Sequence, residues 1–166
     1  LVIYQPDTES FRYKCFISEL KLITYGDIPW AFSCKVSCDS PFAYTLPIEF
    51  TYNVDGESTI PLFNRSSYNG FYKPVIEITN LQSDTLSIVN QTDGARMFKL
   101  SGLPAGKSLK ITVDNKNQVI TNNQDLNLYP FCNMKFFRLV RGDNVLKLSG
   151  KATVKFICEF PVNIGG

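Results

Sequence analysis

From Leu109 to Phe160 the chain alternates apolar and polar side chains almost without interruption, and the breaks in that pattern carry turn chemistry. Leu109, Ile111 and Val113 share one parity before Asn115-Lys116-Asn117. A segment Met134 to Leu139 ends at Arg141-Gly142-Asp143-Asn144, and Val145 to Ser149 meets Gly150-Lys151. The last segment puts Ala152, Val154, Phe156, Cys158 and Phe160 on one face and Thr153, Lys155 and Glu159 on the other. A period of two with one apolar face belongs to a half-buried antiparallel sheet, so this region must fold as strands against a core.

The rest of the chain extends this reading. At 166 residues it is long enough to bury roughly two-thirds of its unfolded surface. Thirteen Phe and eight Tyr favour pleated surfaces over helices. Short strands are expected at about 48–53, 58–63, 73–79, 84–89, 95–100, 109–114, 118–121, 134–139, 144–149 and 152–160, the spacing of a sandwich or barrel. No window keeps a 3.6-residue period, which leaves room for one helical turn, near Asn127 to Phe131. The expected fold is all-β: an antiparallel sandwich preceded by a long hairpin.

That hairpin runs from Phe11 to Tyr25, turns at Gly26-Asp27-Ile28-Pro29 and returns from Trp30 to Cys38. Its second arm alternates cleanly, with Trp30, Phe32, Cys34, Val36 and Cys38 on one side. In the first arm Phe11, Tyr13, Cys15 and Ile17 share one parity, and Leu20 and Leu22 take the other. Either a bulge near Ser18 to Glu19 shifts the register, or the arm is apolar on both faces because another chain or segment covers it. Asp39-Ser40-Pro41 and Leu46-Pro47 are breakers, which sets a boundary between 1–43 and 44–166.

Several functions are argued against. Histidine is absent, which removes the commonest general base and nitrogen metal ligand and forbids Ser-His-Asp or Cys-His chemistry. The acids sit in turns (Asp27, Asp55, Asp114, Asp143) or alternate with apolar residues (Glu77, Glu159), so a two-carboxylate hydrolase ranks last among the readings. No catalytic, cofactor or metal residue is assigned. The five cysteines, Cys15, Cys34, Cys38, Cys132 and Cys158, read mainly as small buried hydrophobes. Cys34 and Cys38, the nearest pair, would stand roughly 13 Å apart on a strand, too far for one zinc ion. A net charge of +2, scattered singly, does not make a nucleic-acid stripe. No apolar run is long enough for a membrane span.

Four local motifs have ordinary readings. Gly102-Leu103-Pro104-Ala105-Gly106-Lys107-Ser108 is one residue short of a phosphate loop and leads into a strand, so it reads as a turn. Arg141-Gly142-Asp143 spells an adhesion tripeptide, yet Gly-Asp-Asn between strands is turn chemistry. Asn64-Arg65-Ser66 and Asn90-Gln91-Thr92 match glycosylation acceptors in an Asn-rich chain. Tyr68, Phe71 and Tyr72, in a Gly-flanked stretch, are candidates for stacking a sugar, or else cover sheet ends.

The order of features resembles a known family, the distal tail proteins (Dit) of long-tailed bacteriophages. The resemblance rests on Phe32-Ser33-Cys34-Lys35-Val36-Ser37-Cys38-Asp39-Ser40-Pro41-Phe42-Ala43-Tyr44, on Asn69-Gly70-Phe71-Tyr72-Lys73-Pro74-Val75-Ile76-Glu77-Ile78, on Leu109 to Asp114 and on Phe137 to Gly150. It implies a galectin-like, jelly-roll type sandwich at 44–166, with 1–43 as the closing part of a ring domain of which most would precede Leu1. It further implies a homohexameric hub in the virion tail tip, made in the bacterial cytoplasm. Such a hub would join the tail tube protein to a tail-associated lysin or fibre proteins, with no cofactor, nucleic acid or membrane among its partners. The alternative from a different class is a carbohydrate-binding module used in host adhesion.

Overall fold

The computed structural model describes residues 2–3, 10–104 and 108–163, in which antiparallel strands dominate and the only helix is a single 3-10 turn at Tyr129–Phe131. The strands are β1 (Val2–Ile3), β2 (Phe11–Tyr25), β3 (Ile28–Cys38), β4 (Ala43–Thr45), β5 (Ile48–Asn64), β6 (Val75–Thr79), β7 (Thr85–Asn90), β8 (Arg96–Ser101), β9 (Ile111–Asp114), β10 (Val119–Asn122), β11 (Gly142–Cys158) and β12 (Pro161–Val162). They form two compact units, one within Leu1–Leu46 and Pro161–Gly166 and the other Pro47–Phe160.

In the larger unit the two longest strands, β5 and β11, pair without a register break from Ile48↔Cys158 to Asn64↔Gly142. On its other edge β11 is shared: Thr153–Ile157 pairs with β6, and Leu146–Ser149 pairs with β7. The β6 half continues through β9 to β10, and the β7 half ends at β8. The changeover falls at Gly150, which faces Gly56, and both glycines have positive φ. One long ribbon thus serves two layers and bends where no side chain interferes.

The layers close on one core. Even-numbered residues of β11, from Leu146 to Cys158, point inward with Val54 and Leu62 of β5. They meet Ile76, Ile78, Leu86, Ile88, Phe98, Leu100, Ile111 and Val113 from the flanking strands. Phe137 packs on Phe156, ring centroids 5.7 Å apart. This is the antiparallel β-sandwich expected from the alternation. The odd-numbered face of the ribbon is solvated, with Lys151 paired to Asp55, Lys147 to Glu57, and Lys155 to Glu49 and Glu77. Because β5 has only β11 as partner, its other edge tolerates Pro61.

Three sequence expectations change. Segments 48–53 and 58–63 are one strand, as are 144–149 and 152–158, because Asp55-Gly56-Glu57 and Gly150-Lys151 bend the ribbon and do not reverse it. Segment 134–139 is not a strand. It makes one bridge, Tyr72↔Leu139, and hangs from buried asparagine side chains: the Asn115 carbonyl accepts from Phe137 N–H at 2.7 Å, and the Asn90 amide donates to the Arg138 carbonyl at 3.0 Å. Third, Cys34 and Cys38 keep the parity expected of them but are exposed.

The smaller unit is a five-stranded sheet in which β2 pairs with β1, β3 and β4, and β12 pairs with β4. Pro161 and Val162 return to Tyr44 and Ala43, so this unit takes in the last described residues. The β2–β3 register slips between Ser18 and Lys21, with Glu19 in the left-handed region, φ 53°. That is the bulge anticipated near Ser18 to Glu19. Its effect is visible in the pairs: Cys15↔Cys38 and Ile17↔Val36 before it and Leu22↔Phe32 after it share one face, and a second slip between Ile23 and Thr24 falls at Trp30.

Candidate interaction surfaces

The apolar face of the β2–β3 ribbon has no cover among the described residues. Ile17, Leu22, Phe32 and Val36 lie along it, and Phe32 is 72% exposed. The opposite face is mixed, with the cross-strand pairs Phe16↔Ser37, Ser18↔Lys35, Lys21↔Ser33 and Ile23↔Ala31. A two-stranded ribbon is marginal in water without a hydrophobic layer beneath it, and covering each large apolar side chain is worth roughly 1.5–3 kcal/mol.

A second surface lies on the sandwich. The three aromatic candidates from the sequence sit in different surroundings. Tyr72 is tied into the sandwich: its ring packs tilted against Phe160 with centroids 4.8 Å apart, its hydroxyl oxygen accepts the Glu159 N–H at 2.7 Å, and its backbone bridges Leu139. Burial, reinforced by Cys158 nearby, pushes its phenol pKa above the ordinary range. Phe71 is half-exposed but carries the Arg138 guanidinium 3.4 Å from its ring centre. Arg138 is held in turn by Asp93 through two hydrogen bonds of 2.7 and 3.1 Å. Tyr68, half-exposed, lies over Gly70, where an added Cβ would collide with its ring. Beside Arg138 is an open cleft of about 480 Å³, lined also by Asp93, Arg96, Lys135 and Asn133, a site that the sequence reading missed because the start of β8 and the irregular segment 133–138 meet only in the fold.

The turn-like motifs are structural as well. Asn64 and Asn90 are buried, and each accepts through Oδ1 the backbone N–H two residues on, from Ser66 and Thr92. The glycosylation spelling is therefore Asx-turn chemistry. At Arg141-Gly142-Asp143, the buried Asn144 closes the turn by bonding the Val140 N–H and the Val140 and Gly142 carbonyls. The Gly-rich motif is described only at residues 102–104 and 108; Ala105 to Lys107 lie outside the described residues. Among the described residues, no helix is long and apolar enough to cross a membrane, and no group of three or more His, Cys, Asp or Glu is placed to hold a metal ion.

Comparison with known proteins places these surfaces in context. The model of a family described as phage tail C-terminal domain matches residues 42–158, which include the whole of the larger unit's ribbon. The chain belongs to this phage tail family. Among solved structures, it is similar to the crystal structure of Dit (gp 19.1) of phage SPP1, described as a paradigm of the hub of the adsorption apparatus in phages infecting Gram-positive bacteria. The TM-score is 0.64 at 15% identity, over 96% of this chain and 64% of the SPP1 chain. This chain therefore spans a little under two thirds of that relative's length, and at this identity the likeness establishes a shared fold. No curated protein matches the sequence. As a phage tail protein with a Dit-like fold, the chain is a component of the virion.

Proposed function

We propose that this tail protein is a structural hub of the tail tip, joining the tail tube protein to a tail-associated lysin or to fibre proteins, and that it acts without catalysis. In this reading residues 1–43 are the closing part of a ring domain. The sandwich in 44–166 presents its loops and sheet faces to neighbours, and the working form is a homohexamer. The observation that carries it is the exposed apolar face of Ile17, Leu22, Phe32 and Val36 on a two-stranded ribbon, which is marginal without a covering layer. The family match and the Dit-like fold support it.

Native mass spectrometry of the natural full-length polypeptide tests this. A six-copy assembly that captures the purified tail tube protein is the expected result; a monomer at every concentration, binding no tail component, overturns it. The same preparation on a glycan panel tests the sugar-binding alternative. Binding lost in Tyr68→Ala would favour that alternative, since Tyr68 is the one aromatic candidate neither buried nor capped by Arg138.

A further inference from the structure

Cys15 on β2 and Cys38 on β3 are direct partners across the ribbon, with their sulfurs 3.4 Å apart and both thiols free. We propose that this pair is an oxidative modification site, closed as an intramolecular disulfide when the protein meets a low-molecular-weight disulfide or similar mild oxidant. The pair's place in the ladder favours closure. Asp39 N–H donates to the Lys14 carbonyl at 2.9 Å, so the hydrogen bonds of this stretch belong to the neighbouring Lys14 and Asp39 positions. Cys15 and Cys38 therefore occupy a non-hydrogen-bonded position, where Cα atoms approach to about 4.5 Å and side chains are closest. A disulfide accepts Cα separations of about 4.4–6.8 Å, so the sulfurs have only to swing together, with no backbone shift.

The other thiols are poorly placed to compete. Cys34 faces the bulge, between the pairs Lys35↔Ser18 and Ser33↔Lys21, and no cysteine lies opposite it. Cys132 and Cys158 belong to the larger unit. Within the pair the roles differ. Cys38 is exposed and Cys15 buried, and burial together with the adjacent Cys38 raises the Cys15 thiol pKa. Cys38 is the entry point.

With glutathione disulfide as oxidant, the Cys38 thiolate attacks one sulfur, forming a mixed disulfide and releasing one glutathione thiolate. Cys15 then gives its proton to water and attacks the Cys38 sulfur, and the second glutathione leaves as thiolate. The protein loses two protons and two electrons, and one glutathione disulfide takes them up to become two glutathiones. The bond joins the arms next to the strands that anchor β2, so the ribbon cannot fray from its base. A virion component meets such oxidants once it leaves the reducing cell interior, and only that timing rests on the tail reading.

The test needs no variant. Purified reduced protein is equilibrated with glutathione disulfide, alkylated, and mapped by non-reducing peptide mass spectrometry. With alkylation carried out in denaturant, the expected result is that Cys15 and Cys38 escape alkylation and appear in one cross-linked peptide pair that is two hydrogens lighter than the two reduced peptides. In Cys15→Ser a persistent glutathione adduct on Cys38 is expected, and Cys34→Ser should leave the cross-link intact. Full alkylation of both residues, a stable mixed disulfide on Cys15 or Cys38 in the unaltered protein, or a bond from Cys38 to Cys34 or to a second chain would each overturn the proposal. Assembly mass measured under reducing conditions tests the hub reading separately, because the bond is then absent.

Discussion

Gly150 on β11 stands directly opposite Gly56 on β5, with φ of 136° and 87°, at the point where β11 changes partner from β7 to β6. The loop between β6 and β7 wraps this bend: Ser83 Oγ accepts the Lys151 N–H at 2.9 Å and donates to the Thr85 carbonyl at 2.7 Å. The two positions are unequal. A Cβ on Gly150 would sit 2.8 Å from the Thr85 carbonyl oxygen and 2.9 Å from Leu86, whereas one on Gly56 would meet open space.

Gly56→Ala should therefore cost only the backbone strain, about 1–2 kcal/mol. Gly150→Ala adds a steric clash with backbone and should cost about 3 kcal/mol or more. Denaturant unfolding of the two variants checks this, and equal losses would mean that the crowding at Gly150 is relieved elsewhere.

Asn144 and Asn90 make a second decisive contact, 2.8 Å from Asn90 Nδ2 to Asn144 Oδ1, inside the sandwich. Asn144 also satisfies Val140 at both its N–H and carbonyl. Asn144→Ala strands the Val140 N–H, while the Val140 carbonyl keeps the Asn64 amide at 2.9 Å and the Asn90 amide keeps the Arg138 carbonyl, so a loss of about 1–3 kcal/mol is expected. Asn90→Ala should cost less than the sum suggests when combined with it, with a coupling of about 0.5–3 kcal/mol in a double-mutant cycle. Additive losses would show that the two amides act independently.

Burial pushes the Cys158 thiol up to about 12, from an ordinary value of 9.0. A raised folded-state pKa means that the folded form holds its proton after the unfolded form has released it. Cys158's contribution is complete below the unfolded value and is lost as pH climbs through the folded one. Unfolding titrations should show stability falling between about pH 9 and about pH 12, with a shallower fall in Cys158→Ala over that window. An identical fall in both proteins would assign the alkaline sensitivity to other groups. Thiol labelling at neutral pH should find Cys34 reactive and Cys158 silent until the chain unfolds.

Much of this architecture was legible in the residues, for reasons visible at particular sites. Alternation over β6 to β10 marked each strand to within about two residues, because one wet and one dry face leave a period-two record. The parity change between Ile17 and Leu20 announced the bulge for the same reason. What could not be read was whether Gly56 and Gly150 reverse the chain or merely bend it, since positive φ serves both. The irregular path of 134–139 was also hidden. Its supports come from Asn115, 22 residues away, and from Asn90, 48 residues away, and sequence-local patterns do not report such contacts. Among the candidate stacking aromatics, the same limit applies to Tyr72. Its amphipathic ring covers a sheet end, an alternative that residue type alone could not separate from ligand stacking.

The cross-strand pair Leu22↔Phe32 gives the most direct test of the assembly face, because both residues are exposed and neither supports the sandwich core. Replacing them together with Lys and Glu preserves a favourable cross-strand pair on the ribbon while removing the apolar patch. The hydrophobic gain forfeited is about 1.5–3 kcal/mol per side chain in each covered copy, enough to shift an association constant by one to two orders of magnitude per residue. The double variant should keep the unfolding midpoint of the sandwich and lose the multimer in native mass spectrometry. Lys35→Glu, on the other face of the same ribbon, should leave assembly unchanged. If the double variant assembles like the parent protein, the apolar face is not where neighbouring copies meet, and the covering layer must come from elsewhere.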